Sequence, residues 1–346
     1  MIHFGDNHRT YLLIAALTAV TFAYAQSPYI ARVWEYCPAP GQFVNELPEY
    51  EQGDDAEAMR QKAEDAIAQD NRGMITLGGW GGYVVFGFDH AVINRPGNDF
   101  IVLGNATYAP AEKERYGGSS EPGIVLVSYD ANANGMPDDE WYELAGSEYT
   151  NPLTVHSYSI TYQRPDNEQN AVYWEDNQGS NGYMDRNSYH PQPYFPQWID
   201  QPTLLFSGSR LPDNYEDQSG QGTYYVLYAY PWGYADNHPN SSALAQLDID
   251  WAVRTDGTPA DLPAIHFVKV YTALHQQCGW LGETSTEITG AQDLSMTQGI
   301  DQIPRSAEGV LQVYSVTGVP MGSSVPDRPG IYIISNGQHV YTTIRQ

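Results

Sequence analysis

The feature that most constrains this chain is a series of short runs of β-branched and aromatic residues. They lie at residues 83–86, 100–103, 123–127, 158–162, 223–230 and 265–271. Clusters of Gly, Pro, Asn and Asp separate the runs, as expected for strands joined by turns. No alternation of strands with helices is visible, which argues against a doubly wound α/β fold. The sequence therefore predicts a mainly β protein, a jelly-roll-like β-sandwich with long loops.

One stretch near the N-terminus predicts an α-helix. Asp54 and Asp55 supply a cap and first-turn acids, and Ala, Met and Ile recur at helical spacing over residues 56–68. Residues 173–221 are rich in Asn, Asp, Gln, Ser, Gly and Pro, and this composition predicts a long functional loop that its aromatic residues keep ordered. We therefore expect a sandwich domain over residues 26–290, with one N-terminal helix.

The two ends of the chain have different compositions. At the N-terminus, Arg9 precedes an apolar run over residues 11–25 that closes on Ala23-Tyr24-Ala25, the layout of a secretory signal peptide. The run is shorter than the roughly 20 apolar residues of a membrane span. We expect residues 1–25 to be removed, leaving no transmembrane segment in the mature chain; a signal anchor is the alternative. Residues 291–346 predict a linker and a small C-terminal β-module.

The formal charge is −26, with only three lysines among 346 residues. A phosphate backbone or an anionic membrane surface would repel most of such a protein, so nucleic acid is excluded as a partner. An acidic surface instead supports solubility outside the cell and offers oxygen ligands to calcium.

Several sequence blocks resemble one family of cell-surface proteins of the Bacteroidetes, often labelled as PKD-domain-containing. The blocks are PAPGQFVN (38–45), LGGWGGYVVFGFDH (77–90), SSEPGIV (119–125), DDEWYELAGSE (138–148), YADNHPN (234–240) and CGWLGETSTE (278–287). The resemblance covers roughly residues 30–290 and implies an exported jelly-roll-like domain. Some members are associated with outer-membrane uptake of glycans or cobalamin. The resemblance does not assign a role to any individual residue.

The tail carries a second resemblance. The segments VYSVTG (313–318), PGIYII (329–334) and GQHV (337–340) are similar to the C-terminal sorting domain of type IX secretion cargo. This resemblance implies export through the type IX secretion machinery and attachment at the outer-membrane surface. The usual final lysines are replaced by Thr342, Thr343 and Arg345. A plain terminal hairpin is the alternative.

An acidic loop at residues 130–141 matches the pattern of an EF-hand calcium loop. Oxygen side chains occupy positions one, three, five and nine, and Gly135 at position six permits the sharp turn. Trp141 stands at position twelve, where a bidentate Glu is expected. The candidate ligands are Asp130, Asn132, Asn134, Met136 and Asp138. The alternative is an Asx-rich hairpin loop without a metal.

Two cysteines and several glutamates leave further possibilities open. Cys37 and Cys278 could form one disulfide in an oxidising compartment, or remain buried thiols. Neither HExxH nor GxSxG occurs, so zinc and serine hydrolases are disfavoured. Paired carboxylates would suffice for a glycosidase, and Glu121, Glu143 and Glu283 lie beside apolar runs where burial could raise a pKa.

Aromatic residues make up 13% of the chain, and several lie in polar loops. Flat rings beside amides bind sugars or other planar ligands. The six candidates are Trp174, Tyr183, Tyr189, Trp198, Trp232 and Tyr234. The leading hypothesis is a secreted or surface-attached protein that captures a glycan or another small-molecule nutrient. The alternatives are a carbohydrate-active hydrolase, and a cobalamin-uptake accessory or structural surface protein.

Overall fold

The computed structural model describes residues 26–109, 115–297, 312–315, 320–326, 330–335 and 340–345, so the predicted signal peptide lies outside the described residues. The helices are α1 (Ala56–Ile67) and α2 (Leu294–Thr297). The first strands are β1 (Arg32–Cys37), β2 (Ile75–Thr76), β3 (Tyr83–Ile93), β4 (Phe100–Leu103), β5 (Gly117–Gly118), β6 (Gly123–Ser128), β7 (Trp141–Leu144), β8 (Val155–Gln163) and β9 (Val172–Asp176). The next are β10 (Asn181–Met184), β11 (Thr203–Arg210), β12 (Tyr215–Asp217), β13 (Tyr225–Tyr228), β14 (Gln246–Leu247), β15 (Ala252–Val253), β16 (Ala264–Thr272), β17 (Glu287–Ile288) and β18 (Gly290–Asp293). The last are β19 (Gln312–Ser315), β20 (Pro320–Gly322), β21 (Gly330–Ser335) and β22 (Val340–Arg345).

A six-stranded antiparallel sheet with the order β1-β3-β16-β6-β7-β15 forms the centre of the main domain. Strand β16 pairs with β3 on one side and with β6 on the other, so that Val268 lies opposite both Phe86 and Val127. Its backbone groups are therefore bonded on both edges, as in an internal strand.

Both faces of this central sheet are buried. Val125 and Val127 of β6 face a first core, whereas Ile124 and Leu126 of the same strand face a second core. On β16, Val270 joins the first core and Tyr271 joins the second. Strands covered on both faces have continuous apolar runs instead of alternating ones, which explains the runs in the sequence.

Different elements cover the two faces. The first core is closed by α1, through Met59, Ala63 and Ile67, and by the sheet β14-β4-β18. The second core is closed by the sheet β10-β9-β8-β11, through residues such as Tyr162 and Phe206. The predicted fold class, a mainly β, sandwich-like protein with an N-terminal helix, is confirmed. The helix starts where the sequence predicted, with the Asp55 side chain accepting from the Ala58 N–H.

The prediction of one long loop over residues 173–221 was wrong. This region contains β10, β11, β12 and most of β9. The misreading arose because the region has few aliphatic residues. Aromatic residues fill the core instead: Tyr194 and Phe195 are fully buried, and Phe206 of β11 lies against Tyr162 of β8. A prediction that counts only Val, Ile and Leu as apolar therefore misses strands whose buried residues are aromatic.

Both cysteines are free thiols, so the disulfide considered from the sequence is not present. Cys37 ends β1 beside Tyr83 of the central sheet, whereas Cys278 lies near Glu121 in a different part of the domain. Burial raises the pKa of Cys37 to about 11 and that of Cys278 to about 12. Both side chains are therefore neutral thiols at neutral pH.

The C-terminal strands form a separate four-stranded antiparallel sheet with the order β20-β19-β21-β22. The sequence predicted a small β-module in this part of the chain. Val313, Tyr332 and Ile334 form its small core. Within the described residues, no helix has the length and apolar character needed to cross a membrane.

Trp198 is a core residue in the structure. It is only 8% exposed, and its ring stacks between Tyr36 and Tyr50 with centroid distances of 6.1 and 6.2 Å. Trp198→Ala should lower the free energy of unfolding by about 3–5 kcal/mol, because it leaves a cavity among packed rings. Urea denaturation measures the loss. The control is Trp280→Ala at a half-exposed tryptophan, which should cost under about 1 kcal/mol. Equal losses would contradict this assignment.

Candidate functional site

Two loops that are distant in sequence are tied together at one edge of the domain. The side chain of Gln277 accepts a hydrogen bond from the Asp185 N–H (3.0 Å) and donates one to the Tyr183 carbonyl (2.9 Å). The Asn187 side chain donates to the carbonyl of Trp280 (2.8 Å). The segment that follows β10 and the segment that follows β16 therefore form one surface.

This surface exposes three aromatic rings. Tyr183 is 58% exposed, Tyr189 is 72% exposed and Trp280 is 50% exposed. The rings of Tyr189 and Trp280 meet edge to face, with centroids 6.3 Å apart. We call these three residues, together with Asn187 and Gln277, the aromatic surface. The amide side chains of Asn187 and Gln277 lie at its base, a combination of rings and amides that suits a ligand with apolar faces and hydroxyl groups.

The other four predicted aromatic residues are not among these exposed rings. Trp198 is in the first core, and Tyr234 is 2% exposed in the second core, where its hydroxyl accepts from the Glu148 N–H. These two predictions of ligand contact are corrected, because a buried ring cannot stack on a ligand. Trp174 is partly buried with its ring against His275, and Trp232 packs on Trp251. (The rings of these two pairs have centroids 4.3 and 4.5 Å apart.)

Trp280 was absent from the six candidates. It lies in a tight turn between Gly279 and Gly282, both of which have positive φ values, +53° and +86°. Glycine adopts this conformation without strain. The signal in the sequence was the Gly-Trp-Leu-Gly pattern, because a tryptophan held in a turn between two glycines has few neighbours on its own segment to cover it.

A small cavity of about 10 Å³ adjoins the aromatic surface and shares Gln277 with it. Among its lining residues, Trp80, Trp174 and Thr284 each carry a buried polar atom with no hydrogen-bond partner in the described structure. A cavity of this size holds one water molecule, which would satisfy such groups.

Three carboxylates converge in a second place. One oxygen each from Glu121, Asp236 and Glu287 lies within 4.8 Å of the other two, and we call these residues the carboxylate cluster. Asp236 and Glu287 are buried and Glu121 is half-buried. The Asp236 carboxylate accepts from the N–H groups of Asn105 (2.7 Å), Ala106 (2.8 Å) and Glu287 (3.0 Å). Three oxygen ligands at this spacing could hold a hard cation.

Without a cation, protonation and hydrogen bonds offset the cost of burying the negative charge of the cluster. Burial, followed by the charges of Glu287 and Asp236, raises the pKa of Glu121 well above its ordinary value. Burial also raises the pKa of Glu287 to about 7, although it accepts from the hydroxyls of Ser285 and Thr76. Burial also raises the pKa of Asp236, so all three carboxyl groups of the cluster hold their protons to a higher pH than an exposed acid does.

Of the two further glutamates that the sequence singled out, Glu283 is buried and Glu143 is half-buried. Burial raises the pKa of Glu283 to about 8, and both its oxygens accept from the N–H of Gln42 (3.0 and 3.1 Å). On β7, burial raises the pKa of Glu143, which accepts from the Ser209 hydroxyl (2.8 Å). Of the three glutamates proposed as an acid pair, only Glu121 belongs to the carboxylate cluster.

The sequence reasoning missed Asp236 and Glu287 as partners of Glu121. Each member comes from a different block of the family resemblance, at residues 119–125, 234–240 and 278–287. The sequence did contain a signal: each of these three blocks has an acid beside small and polar residues, which could have suggested that the three acids lie together. Their pairing depends on loop contacts, such as the bond from the Glu121 N–H to the Asp236 carbonyl (3.0 Å).

The acidic loop at residues 130–138 is held by its own side chains. Asp130 accepts from the N–H groups of Asn134 (3.1 Å) and Gly135 (2.8 Å), and Asn132 accepts from the same N–H of Asn134. The Asp138 carboxylate accepts from the side-chain amides of both asparagines. These bonds form the Asx-turn arrangement, in which Gly135 has a φ of +72°. Calcium binding here stays a prediction.

Comparison with known proteins adds no assignment, because no family model and no curated protein matches this chain. The function therefore has to be argued from the aromatic surface and from the carboxylates.

The raised pKa of Glu283 predicts a pH dependence of stability. The native state keeps its proton up to about pH 8, whereas an unfolded glutamate loses it near 4.5. Between these values the unfolded state binds fewer protons, so the free energy of unfolding falls as the pH rises. Glu283→Gln cannot ionise, and we expect its stability to fall less steeply, by up to about 1.4 kcal/mol per pH unit.

Urea titrations at a series of pH values between these limits, in the presence of a chelator, measure this difference. Glu140→Gln, at an exposed glutamate, is the control and should follow the wild type. Parallel curves for wild type and Glu283→Gln would contradict the prediction.

Proposed function

We propose that this protein binds a ligand at the aromatic surface, and that the ligand is a glycan or a similar hydroxyl-bearing nutrient. The observation that carries the proposal is the exposure of Tyr183, Tyr189 and Trp280 beside the amides of Asn187 and Gln277. Exposed rings that contact each other, as those of Tyr189 and Trp280 do, form the kind of contiguous apolar patch that marks an interaction site. Sugar rings stack on such side chains while their hydroxyls bond to amides.

The expected location is outside the cell, at the outer-membrane surface. This part of the proposal rests on the signal-peptide pattern of residues 1–25, on the resemblance to Bacteroidetes surface proteins, and on the sorting-domain resemblance of residues 313–340. The acidic composition agrees with it.

Trp280→Ala and Tyr189→Ala should each weaken glycan binding by about 1–3 kcal/mol, the range for aromatic residues at the centre of an interface. The free energy of unfolding should change little, because both rings are at least half exposed. Screening residues 26–290 on a glycan array that includes neutral, amino-bearing and anionic oligosaccharides, together with cobalamin, identifies the ligand. Titration of each variant then measures the loss.

Tyr116→Ala is the matched control, since Tyr116 is also an exposed tyrosine (53%) but belongs to a different sheet edge, stacked on Tyr108. It should bind as the wild type does. An unchanged affinity in Trp280→Ala would refute the aromatic surface as the binding site.

We further propose that the loop at residues 130–138 binds calcium with a dissociation constant of about 10⁻⁴–10⁻³ M, the range of extracellular sites. Asp130, Asn132 and Asp138 already converge on this loop through their hydrogen bonds. Calcium at ten times the dissociation constant should stabilise the fold by about 1.4 kcal/mol and raise the melting temperature. Thermal melts with calcium and with chelator measure the shift, which Asp130→Ala should abolish.

Glu287→Gln is the comparison variant for that experiment, because it changes the carboxylate cluster and leaves the loop intact. A calcium-dependent shift that survives Asp130→Ala and disappears in Glu287→Gln would assign the ion to the cluster.

A carbohydrate-active hydrolase is the second candidate function. It is favoured by one observation: the half-buried Glu121 has an oxygen within 4.8 Å of a Glu287 oxygen, and burial raises its pKa, as expected for a general acid beside a second carboxylate. The burial of Asp236 and Glu287 acts against it, because a sugar must reach both acids. If the protein hydrolyses an oligosaccharide found on the array and Glu121→Gln abolishes that hydrolysis, the result would favour the hydrolase.

A further inference from the structure

A polar groove lies beside the aromatic surface. Its volume is about 570 Å³, which falls in the range of small-molecule binding sites. The turn before α1 contributes one wall and the segment before Trp198 contributes the other. The lining residues that carry polar side chains are Asn45, Glu46, Glu49, Tyr50, Gln192 and Gln197.

Gln42 joins this groove to the aromatic surface. Its carbonyl accepts a hydrogen bond from the side chain of Gln192 in the groove wall. Its side-chain oxygen accepts from Asn187 (3.3 Å), whose amide also bonds the carbonyl of Trp280 (2.8 Å). Between these two contacts, the ring of His190 packs on Phe43 with centroids 4.5 Å apart. Residues 187–192 therefore lead from Trp280 to the groove wall, and an extended ligand that follows them from Trp280 reaches the groove.

The walls of the groove are fixed before any ligand binds. The side chain of Asn45 donates to the carbonyls of Pro193 (2.7 Å) and Phe195 (3.1 Å) and accepts from the Gln197 N–H (3.0 Å). The Tyr50 ring rests on Trp198 in the first core. Groups held in this way lose little conformational entropy when a ligand binds.

The charge of the groove is negative. Glu46 and Glu49 are exposed in its wall, and none of its described lining residues is basic. The Lys62 ammonium donates to the Glu49 carbonyl (3.0 Å) in this wall, and it is already paired with Asp54 (2.8 Å) and Glu51 (3.7 Å). A uronate or sulfated sugar would therefore meet two carboxylates and a cation that already has two carboxylate partners, whereas hydroxyl and ammonium groups would find acceptors.

We propose that the groove is a second subsite for the same ligand, and that it selects oligosaccharides that are neutral or carry amino groups over anionic ones. This proposal rests on the proposed function. The ligand would stack on Trp280 and Tyr189 with one end and occupy the groove with several further sugar units.

The test uses titration calorimetry with three probe series of two to six units: β-1,4-linked glucose, β-1,4-linked glucosamine and galacturonic acid oligomers. We expect affinity to rise with length for glucose and glucosamine, and to remain flat for galacturonate. The double variant Glu46→Gln/Glu49→Gln should reduce the preference for glucosamine over glucose by roughly threefold to tenfold. Added salt should reduce the same preference in the wild type.

Two variants make the test sharper. Glu140→Gln, an exposed glutamate outside the groove, should leave the preference unchanged. Charge reversal by Glu46→Arg/Glu49→Arg should make affinity for galacturonate rise with length. These substitutions are at exposed positions, so the fold should tolerate them.

The outcomes separate the groove from the aromatic surface. Equal affinity for dimers and hexamers, or a sugar preference that neither double variant changes, would overturn the groove even if Trp280→Ala still abolishes binding. Absence of binding in all three series would also overturn the groove proposal. Binding of a different glycan from the array would still support the proposed function. Loss of binding in the groove variants, with none in Trp280→Ala, would support the groove and refute the aromatic surface.

Discussion

The burial of β16 on both faces and both edges is the constraint on which the rest of the structure depends. Val270 and Tyr271 point into different cores, and β3 and β6 bond its two edges. A strand without an exposed side has only one arrangement that keeps its backbone bonded and its side chains dry. The covering layers, α1 on one side and the sheet of β8 and β11 on the other, are positioned by the two side-chain sets of the central sheet.

The chain that leaves this strand contributes to both the aromatic surface and the carboxylate cluster. Residues 273–287 contribute Gln277 and Trp280 to the aromatic surface and Glu287 to the carboxylate cluster. The exit is anchored at once, because Thr272 bonds the carbonyls of Gly78 and Gly82 (2.8 and 3.1 Å). Because the segment begins at a fixed point of the central sheet, its conformational freedom is small, and it holds a ring at the surface and acids in the interior.

The sequence predicted what depends on local pattern and missed what depends on long-range packing. The helix was found from its acidic cap and the helical spacing of its apolar residues, whereas β3, β6 and β16 of the central sheet were found because continuous apolar runs mark strands buried on both faces. Strands β1, β7 and β15 of the same sheet were not predicted. Strands β10 and β11 were missed because each places few side chains in the core, mainly Met184 from β10 and Phe206 from β11, within a polar sequence. The same ambiguity affected the site: Trp198 and Tyr189 occur in equally polar surroundings, yet one is in the core and the other is exposed. Composition cannot distinguish them, since the difference is set by Tyr36 and Tyr50, which are distant in sequence.

The carboxylate cluster connects these observations. Burying acids is costly unless hydrogen bonds, protons or a cation compensate them. Asp236 receives three backbone N–H groups, from Asn105, Ala106 and Glu287, so its carboxylate holds the loop after β4 against the start of β17. Glu283 does the same for the turn that carries Gln42. Gln42 in turn contacts both the aromatic surface and the groove. Through Gln42, the buried carboxylate of Glu283 is therefore connected to the loops that carry the exposed rings and to the wall of the groove.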